Sequence, residues 1–117
     1  MTNDKKYDLE ARTLKFAKEC INLSRSLEKN IVNQELLGQF IRSAGSIGAN
    51  YREANEASTK KDFYYRISLC RKEAKETRYW LELILHANIS LQQKLDILID
   101  EAGQLTRIFS SIALRNL

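Results

Sequence analysis

The residues with the clearest capacity for chemistry are cations and tyrosines spaced along residues 60–78. This segment holds seven cations and three anions, so its local net charge is +4. Steps of four and three residues bring side chains onto one line of a helix, and five residues follow those steps: Tyr64, Ser68, Arg71, Lys75 and Arg78. We call the predicted surface the third-helix ridge. Its candidate binding residues are Lys61, Tyr64, Arg71, Lys72, Lys75 and Arg78.

A ridge of this composition is suited to nucleic acid, because Lys and Arg neutralise phosphates while tyrosine rings stack on unpaired bases. Two other interpretations stay open. One is a solvated face with local pairs such as Lys72 and Glu76, each worth about 0.2–0.5 kcal/mol; the other is a docking surface for an acidic protein. The net charge of +4 and the pI near 9.1 favour an anionic partner without identifying it. The next segment, residues 80–101, has the opposite charge, with Lys94 as its one cation against four anions.

Residue types that catalyse reactions or bind metals are sparse. His86 is the only histidine, and one imidazole does not make a zinc site. Cys20 and Cys70 are fifty residues apart, which matches no metal-ligand spacing, so we interpret both as small core residues. The sequence has no glycine-rich phosphate loop and no nucleophile motif. We therefore predict a protein that is not an enzyme and that needs no metal or cofactor.

The composition favours long helices as the elements that carry the ridge. The 117 residues include no proline and four glycines, with 44% hydrophobic and 29% charged residues, which argues against turn-rich β folds and against disorder. A single domain, residues 1–117, is expected at this length. The longest aliphatic run, residues 83–85, is too short to span a membrane, and the first residues do not lead into an apolar signal segment. We expect a cytoplasmic protein.

Hydrophobic periodicity predicts four helices. In the third and fourth, apolar or small residues recur at alternating steps of four and three, from Phe63 to Ile84 and from Leu91 to Ile112, which is a helical period. The predicted N-caps or first residues of the four helices are Asp8, Asn33, Thr59 and Ser90. Because the connections are short, we predict an all-α, up-down-up-down antiparallel four-helix bundle with helices of roughly 22 to 29 residues.

Two features favour assembly of several copies. Small side chains fill residues 43–49, which allows another backbone to approach closely. Several apolar residues also fall outside the predicted core positions, among them Tyr64, Tyr65, Tyr79, Trp80, Ile97 and Ile108. We therefore expect a homo-oligomer.

The segment from residue 42 to 54, Arg-Ser-Ala-Gly-Ser-Ile-Gly-Ala-Asn-Tyr-Arg-Glu-Ala, resembles the signature of the bacterial four-helix-bundle family encoded by intervening sequences in 23S rRNA genes. Residues 61–63, 72–77 and 79–81 also resemble it, and the similarity extends over residues 7–114. The resemblance implies an up-and-down bundle, often a ring-shaped homopentamer, that is associated with 23S ribosomal RNA. Similar bundles serve as accessory proteins of diversity-generating retroelements.

Three positions match the usual residues of that family, namely Arg42, Asn50 and Glu53. We interpret their roles as structural. Asn50 follows Ile47 by three residues, so it is expected to point inward and to form hydrogen bonds across the bundle, whereas Arg42 and Glu53 are expected to face a neighbouring helix or subunit.

The sequence thus predicts a non-enzymatic, RNA-binding bundle, with ribosomal RNA as the partner that the resemblance implies. Phosphates are expected to be contacted by the third-helix ridge. The alternative is an oligomeric scaffold for protein interactions, or a protein similar to retroelement accessory proteins, in which the ridge docks an acidic partner.

Overall fold

The computed structural model describes residues 4–115, with side chains from Leu9 onward. Four helices make up nearly all of it: α1 (Asp4–Ser26), α2 (Ile31–Asn55), α3 (Lys60–Ala87) and α4 (Gln92–Leu114), with a 3₁₀ turn at Ile89–Leu91 before α4. No strand occurs among these residues. The helix lengths of 23, 25, 28 and 23 residues lie within the predicted range.

Each helix packs beside the one that follows it, and α1 also contacts α4. Connections of a few residues force sequential neighbours to run antiparallel, so the predicted up-down-up-down order is confirmed. At 1.5 Å per residue, the 28 residues of α3 extend about 42 Å, close to the 45 Å long axis of the molecule. α1 lies on the side of the bundle opposite α3, because it packs on α2 and α4.

The hydrophobic core consists of the residues that the periodicity selects. In α3, six of the seven predicted residues are buried and Phe63 at the end is half-buried; in α4, Leu95, Leu98, Leu105 and Phe109 are buried. The spacing of apolar side chains therefore fixes which face of each helix turns inward. Cys20 and Cys70 are free thiols in this core, so their interpretation as packing residues is confirmed.

The helix starts show where the sequence pattern is a poorer guide. Thr59 is the N-cap of α3, and its Oγ1 accepts a hydrogen bond from the Asp62 backbone N at 3.0 Å. α2 begins at Ile31, two residues earlier than predicted, because Asn30 is its N-cap. The Asn30 side-chain oxygen accepts from the Asn33 backbone N at 2.9 Å.

The predicted N-caps Asp8 and Ser90 are wrong. The backbone at Asp8 is already helical, since α1 begins at Asp4, and an N-cap needs a non-helical backbone. Ser90 lies inside the 3₁₀ turn, and the N-cap of α4 is Leu91, without a side-chain cap. This turn is held instead by Asn88, whose carbonyl accepts from the Leu91 backbone N at 2.9 Å.

A pair of side-chain amides fastens α2 to the end of α3. Nδ2 of Asn88 donates to Oδ1 of Asn33 at 2.8 Å, and Nδ2 of Asn33 donates to Oδ1 of Asn88 at 3.2 Å. Asn33 also donates to the Glu28 carbonyl, and Asn88 to the Ile84 carbonyl. These hydrogen bonds satisfy the side-chain amide of Asn33, which is buried.

The small-residue segment, residues 43–49, lies at close helix contacts, although not at each of its glycines. Ser43 Oγ accepts a hydrogen bond from Thr77 Oγ1 of α3 at 2.9 Å. A Cβ at Gly48 would lie 2.9 Å from Thr13 Oγ1 of α1, whereas a Cβ at Gly45 would meet nothing within 4 Å. Overpacking within the bundle is therefore expected at Gly48 and not at Gly45.

Candidate nucleic-acid interface

The third-helix ridge is an exposed face of α3. Arg71, Lys75 and Arg78 are exposed on its central line, and Lys61 and Lys72 are exposed beside it. Lys61 and Arg78 are 17 positions apart in the sequence, which corresponds to about 26 Å along the helix. Core residues on the opposite side of α3, such as Ile67 and Leu81, are fully buried, so packing of the core turns the five predicted cations towards solvent.

These cations are little neutralised by the protein itself. Among residues 9–115, the only carboxylate within 4 Å of a ridge cation is Glu82, whose Oε2 is 3.9 Å from Arg78 Nε, and both side chains are about half exposed. Burial raises the pKa of the half-buried Glu73 carboxyl on the same helix, the charge of Glu76 raises it further, and the charge of Lys72 lowers it, so Glu73 partly compensates Lys72. The ridge therefore presents a cationic surface.

Among the tyrosines on and beside the ridge, the one predicted to stack on bases is the least exposed. Tyr64, the predicted stacking residue, is half-buried, and its ring meets the edge of Phe63 with centroids 5.1 Å apart. Tyr65 and Tyr79, which flank the line, are 57% and 55% exposed. Arg66 lies over the Tyr65 ring at 6.0 Å. Tyr65 and Tyr79 are thus better placed than Tyr64 to offer a ring face to a base.

A second surface feature is a groove of about 420 Å³ between α1 and α4. Its lining holds two cations, Arg12 and Lys15, and two anions, Glu19 and Glu101. Arg12 is paired: Nε and Nη2 donate to the two carboxylate oxygens of Glu101 at 2.7 and 2.9 Å, and Nη2 donates to Gln104 at 2.8 Å. A bidentate pair of this kind is among the stronger charged contacts in proteins. We therefore interpret this groove as part of the packing between α1 and α4, and not as a candidate binding surface like the ridge.

The three residues that match the family signature lie on α2. Asn50 is half-buried, and its Oδ1 accepts a hydrogen bond from Arg66 of α3 at 3.4 Å, while its Nδ2 donates to the Ser46 carbonyl at 2.9 Å. The predicted contact across the bundle is therefore present. Arg42 and Glu53 are exposed, and Arg42 donates to Gln39 of its own helix at 3.3 Å.

Other reactive residue types do not gather into a site. Burial raises the pKa of both core thiols, that of Cys70 to about 12, which keeps them protonated and unreactive at neutral pH. His86 is exposed in the last turn of α3. The described residues contain no group of three or more His, Cys, Asp or Glu that could hold a metal ion. None of their helices is both long and apolar enough to cross a membrane.

One functional candidate was missed by sequence reasoning. Arg107 of α4 reaches the same groove as Arg78, because α4 runs antiparallel beside α3 and the Arg78 side chain lies beside Gly103. No spacing within the chain links residues 78 and 107, so only the packed structure brings them together.

Taken together, the fold and this surface define a small all-α four-helix bundle with an exposed cationic face on its third helix. The chain belongs to the 23S rRNA-intervening sequence protein family, which it matches over residues 5–111. A crystal structure of a protein of unknown function from the S23 ribosomal protein family of Bacteroides thetaiotaomicron has a similar fold, with a TM-score of 0.78 and 29% sequence identity. The similarity covers 89% of this chain and 96% of that one. No curated protein matches the sequence significantly.

Proposed function

We propose that the protein binds RNA, with ribosomal RNA as its natural target, and that it does so without catalysis. The observation that carries the proposal is the set of exposed and weakly compensated cations on the third-helix ridge. A polyanion gains most from such a surface, because each phosphate that meets a cation releases condensed counterions. The family name, which refers to 23S rRNA, supports RNA as the polyanion. A cytoplasmic location fits such a target.

Contact with phosphates implies low sequence specificity. The cations of the ridge neutralise phosphates of any sequence, and the ridge has no set of short polar side chains that suggests reading of base edges. The exposed rings of Tyr65 and Tyr79 add stacking, which requires unpaired bases. Single-stranded RNA or the loops of structured RNA should therefore bind more tightly than a perfect duplex.

A competition experiment separates RNA binding from the scaffold alternative. A fluorescently labelled single-stranded RNA is titrated with the wild-type protein at about 50 mM salt, and the complex is then challenged with unlabelled RNA, duplex RNA or polyglutamate. We expect the single strand to compete best and polyglutamate to compete poorly. Polyglutamate that competes as well as RNA, weight for weight, would favour an acidic protein partner, and an absence of RNA binding would contradict the proposal.

We also propose that the protein assembles into a homo-oligomer, as a pentamer by resemblance to its family. Large apolar side chains remain exposed in the single chain, among them Ile31, Val32, Ile89 and Leu114. Contacts between copies would cover these side chains.

Light scattering at micromolar concentration should show a mass several times 13.6 kDa. Gly45 lies in the small-residue segment and has open space around it in the single chain, so Gly45→Leu should lower the mass only if this segment lies between copies. Gly38→Leu on the same helix, also in open space, is the matched control. A wild-type protein that is monodisperse at 13.6 kDa would contradict assembly.

A further inference from the structure

A groove of about 240 Å³ runs between α3 and α4 at the end of the third-helix ridge. It is lined by Lys75, Arg78, Tyr79 and Glu82 from α3, and by Gly103, Thr106 and Arg107 from α4. One of these seven residues, Glu82, is an anion, and three are cations. Two of the three, Lys75 and Arg78, belong to the ridge, whereas Arg107 comes from a helix that sequence reasoning treated as lying outside it.

The guanidinium groups of Arg78 and Arg107 both lie beside Gly103. A Cβ built at Gly103 would lie 3.0 Å from Nη1 of Arg78 and 3.7 Å from Nη1 of Arg107. Since both nitrogens surround the same point, they are at most about 6.7 Å apart. A side chain at this position would therefore press on the end of the Arg78 side chain.

Two guanidinium groups at this distance repel each other unless an anion lies between them. The nearest carboxylate, Glu82, is 3.9 Å from Arg78 Nε. Among residues 9–115, no carboxylate lies within 4 Å of Arg107 or Lys75. Charge-assisted N–H···O bonds are about 2.7–2.9 Å long, so one phosphate can accept from both arginines through different oxygens.

We propose that this groove is a phosphate seat, in which Arg78 and Arg107 together bind one phosphodiester group of the RNA. Lys75 lies along the same groove and faces the phosphate next in the chain. Tyr79, which is 55% exposed, offers its ring to the base attached to the seated phosphate. The proposal rests on the proposed function and makes it specific: the RNA backbone follows the line between α3 and α4, and not α3 alone.

The seat can be tested by two substitutions that act differently. Arg107→Ala should lower the affinity for single-stranded RNA about tenfold, as expected for the loss of a charge-assisted hydrogen bond, and should reduce the salt dependence by about one phosphate. Gly103→Ala keeps every charge and requires the flexible end of Arg78 to shift by only a few tenths of an ångström, so it should lower the affinity less than Arg107→Ala does. The control Arg25→Ala removes an exposed cation from α1 and should have little effect.

The results distinguish failure of the seat from failure of RNA binding. If wild type binds RNA but Arg107→Ala and Gly103→Ala bind as well as Arg25→Ala, the seat is wrong while the proposed function stands. If wild type does not bind RNA, inorganic pyrophosphate is added to the ¹⁵N-labelled protein and the Nε–Hε signals of its arginines are followed by NMR. Shifts of Arg78 and Arg107 in wild type that exceed the shift of Arg25 would support a phosphate seat. Unchanged signals would overturn it.

Discussion

A variant with Arg71, Lys75 and Arg78 all replaced by glutamate is expected to bind RNA at least about 100-fold more weakly than wild type at about 50 mM salt. The three cations are exposed on one line of α3, so their reversal replaces attraction by repulsion along the whole ridge and changes the formal net charge from +4 to −2. Helix content should be unchanged, because the core side of α3 is untouched. Fluorescence anisotropy measures the affinity, and circular dichroism measures the helix content.

The matched control reverses three exposed cations on the opposite side of the bundle. Lys18, Arg25 and Lys29 are exposed, and Lys18 and Arg25 lie on α1, with Lys29 just beyond its end. Their replacement by glutamate gives the same net charge, but these side chains are not on the ridge, so the loss of affinity should be only a few-fold. Equal losses in the two triple variants would show that net charge alone attracts RNA and that the ridge is not the site.

Lys94 lies among the acidic residues of α4, so its replacement by alanine should change the affinity for RNA little.

The largest expected effect on stability comes from truncation of Phe109. Its side chain is fully buried in α4 and its ring meets that of Tyr51 from α2, with centroids 5.8 Å apart and planes inclined by 55°. Phe109→Ala removes this contact between two diagonal helices and leaves a cavity, so it should lower the free energy of unfolding by about 3–5 kcal/mol. That is a large fraction of the roughly 5–15 kcal/mol that stabilises a typical domain. Urea denaturation followed by circular dichroism provides the measurement.

Ile97→Ala on the same helix is the control for this truncation. Ile97 is 68% exposed, so its loss should change the stability of the bundle by no more than about 0.5 kcal/mol. Both variants need to be measured at several protein concentrations, because assembly adds to the apparent stability. Equal destabilisation by the two substitutions would show that Phe109 does not lie in the core as described.

The fold could be predicted from sequence because each helix carries a periodic apolar face. The alternation from Phe63 to Ile84 selects one side of α3, and no other helix register buries those residues together. The starts of α1 and α4 were mispredicted for a local reason. Asp8 and Ser90 are good capping types, but capping depends on where the chain turns, and Asn88 fixes the turn before α4 through contacts with a helix distant in sequence.

The candidate site was predictable only to the extent that it lies on one helix. Arg71, Lys75 and Arg78 share a line through helical geometry alone, and the structure places all three on an exposed face of α3. Exposure of a ring depends on its neighbours, which is why Tyr79 turns out more exposed than Tyr64. Arg107 lies near Arg78 because α4 packs against α3 and both side chains lie beside Gly103, and this proximity has no signature in sequence spacing.

RNA binding through the third-helix ridge is best tested by measuring the affinity of the wild-type protein for single-stranded RNA across a salt series. If the ridge contacts four to six phosphates, the logarithm of the association constant should fall against the logarithm of salt concentration with a slope of about −3 to −5. Two RNAs of unrelated sequence should give nearly the same slope, because phosphates carry no sequence information. A slope near zero, or no detectable binding at about 50 mM salt, would contradict RNA binding through the cations of the third-helix ridge.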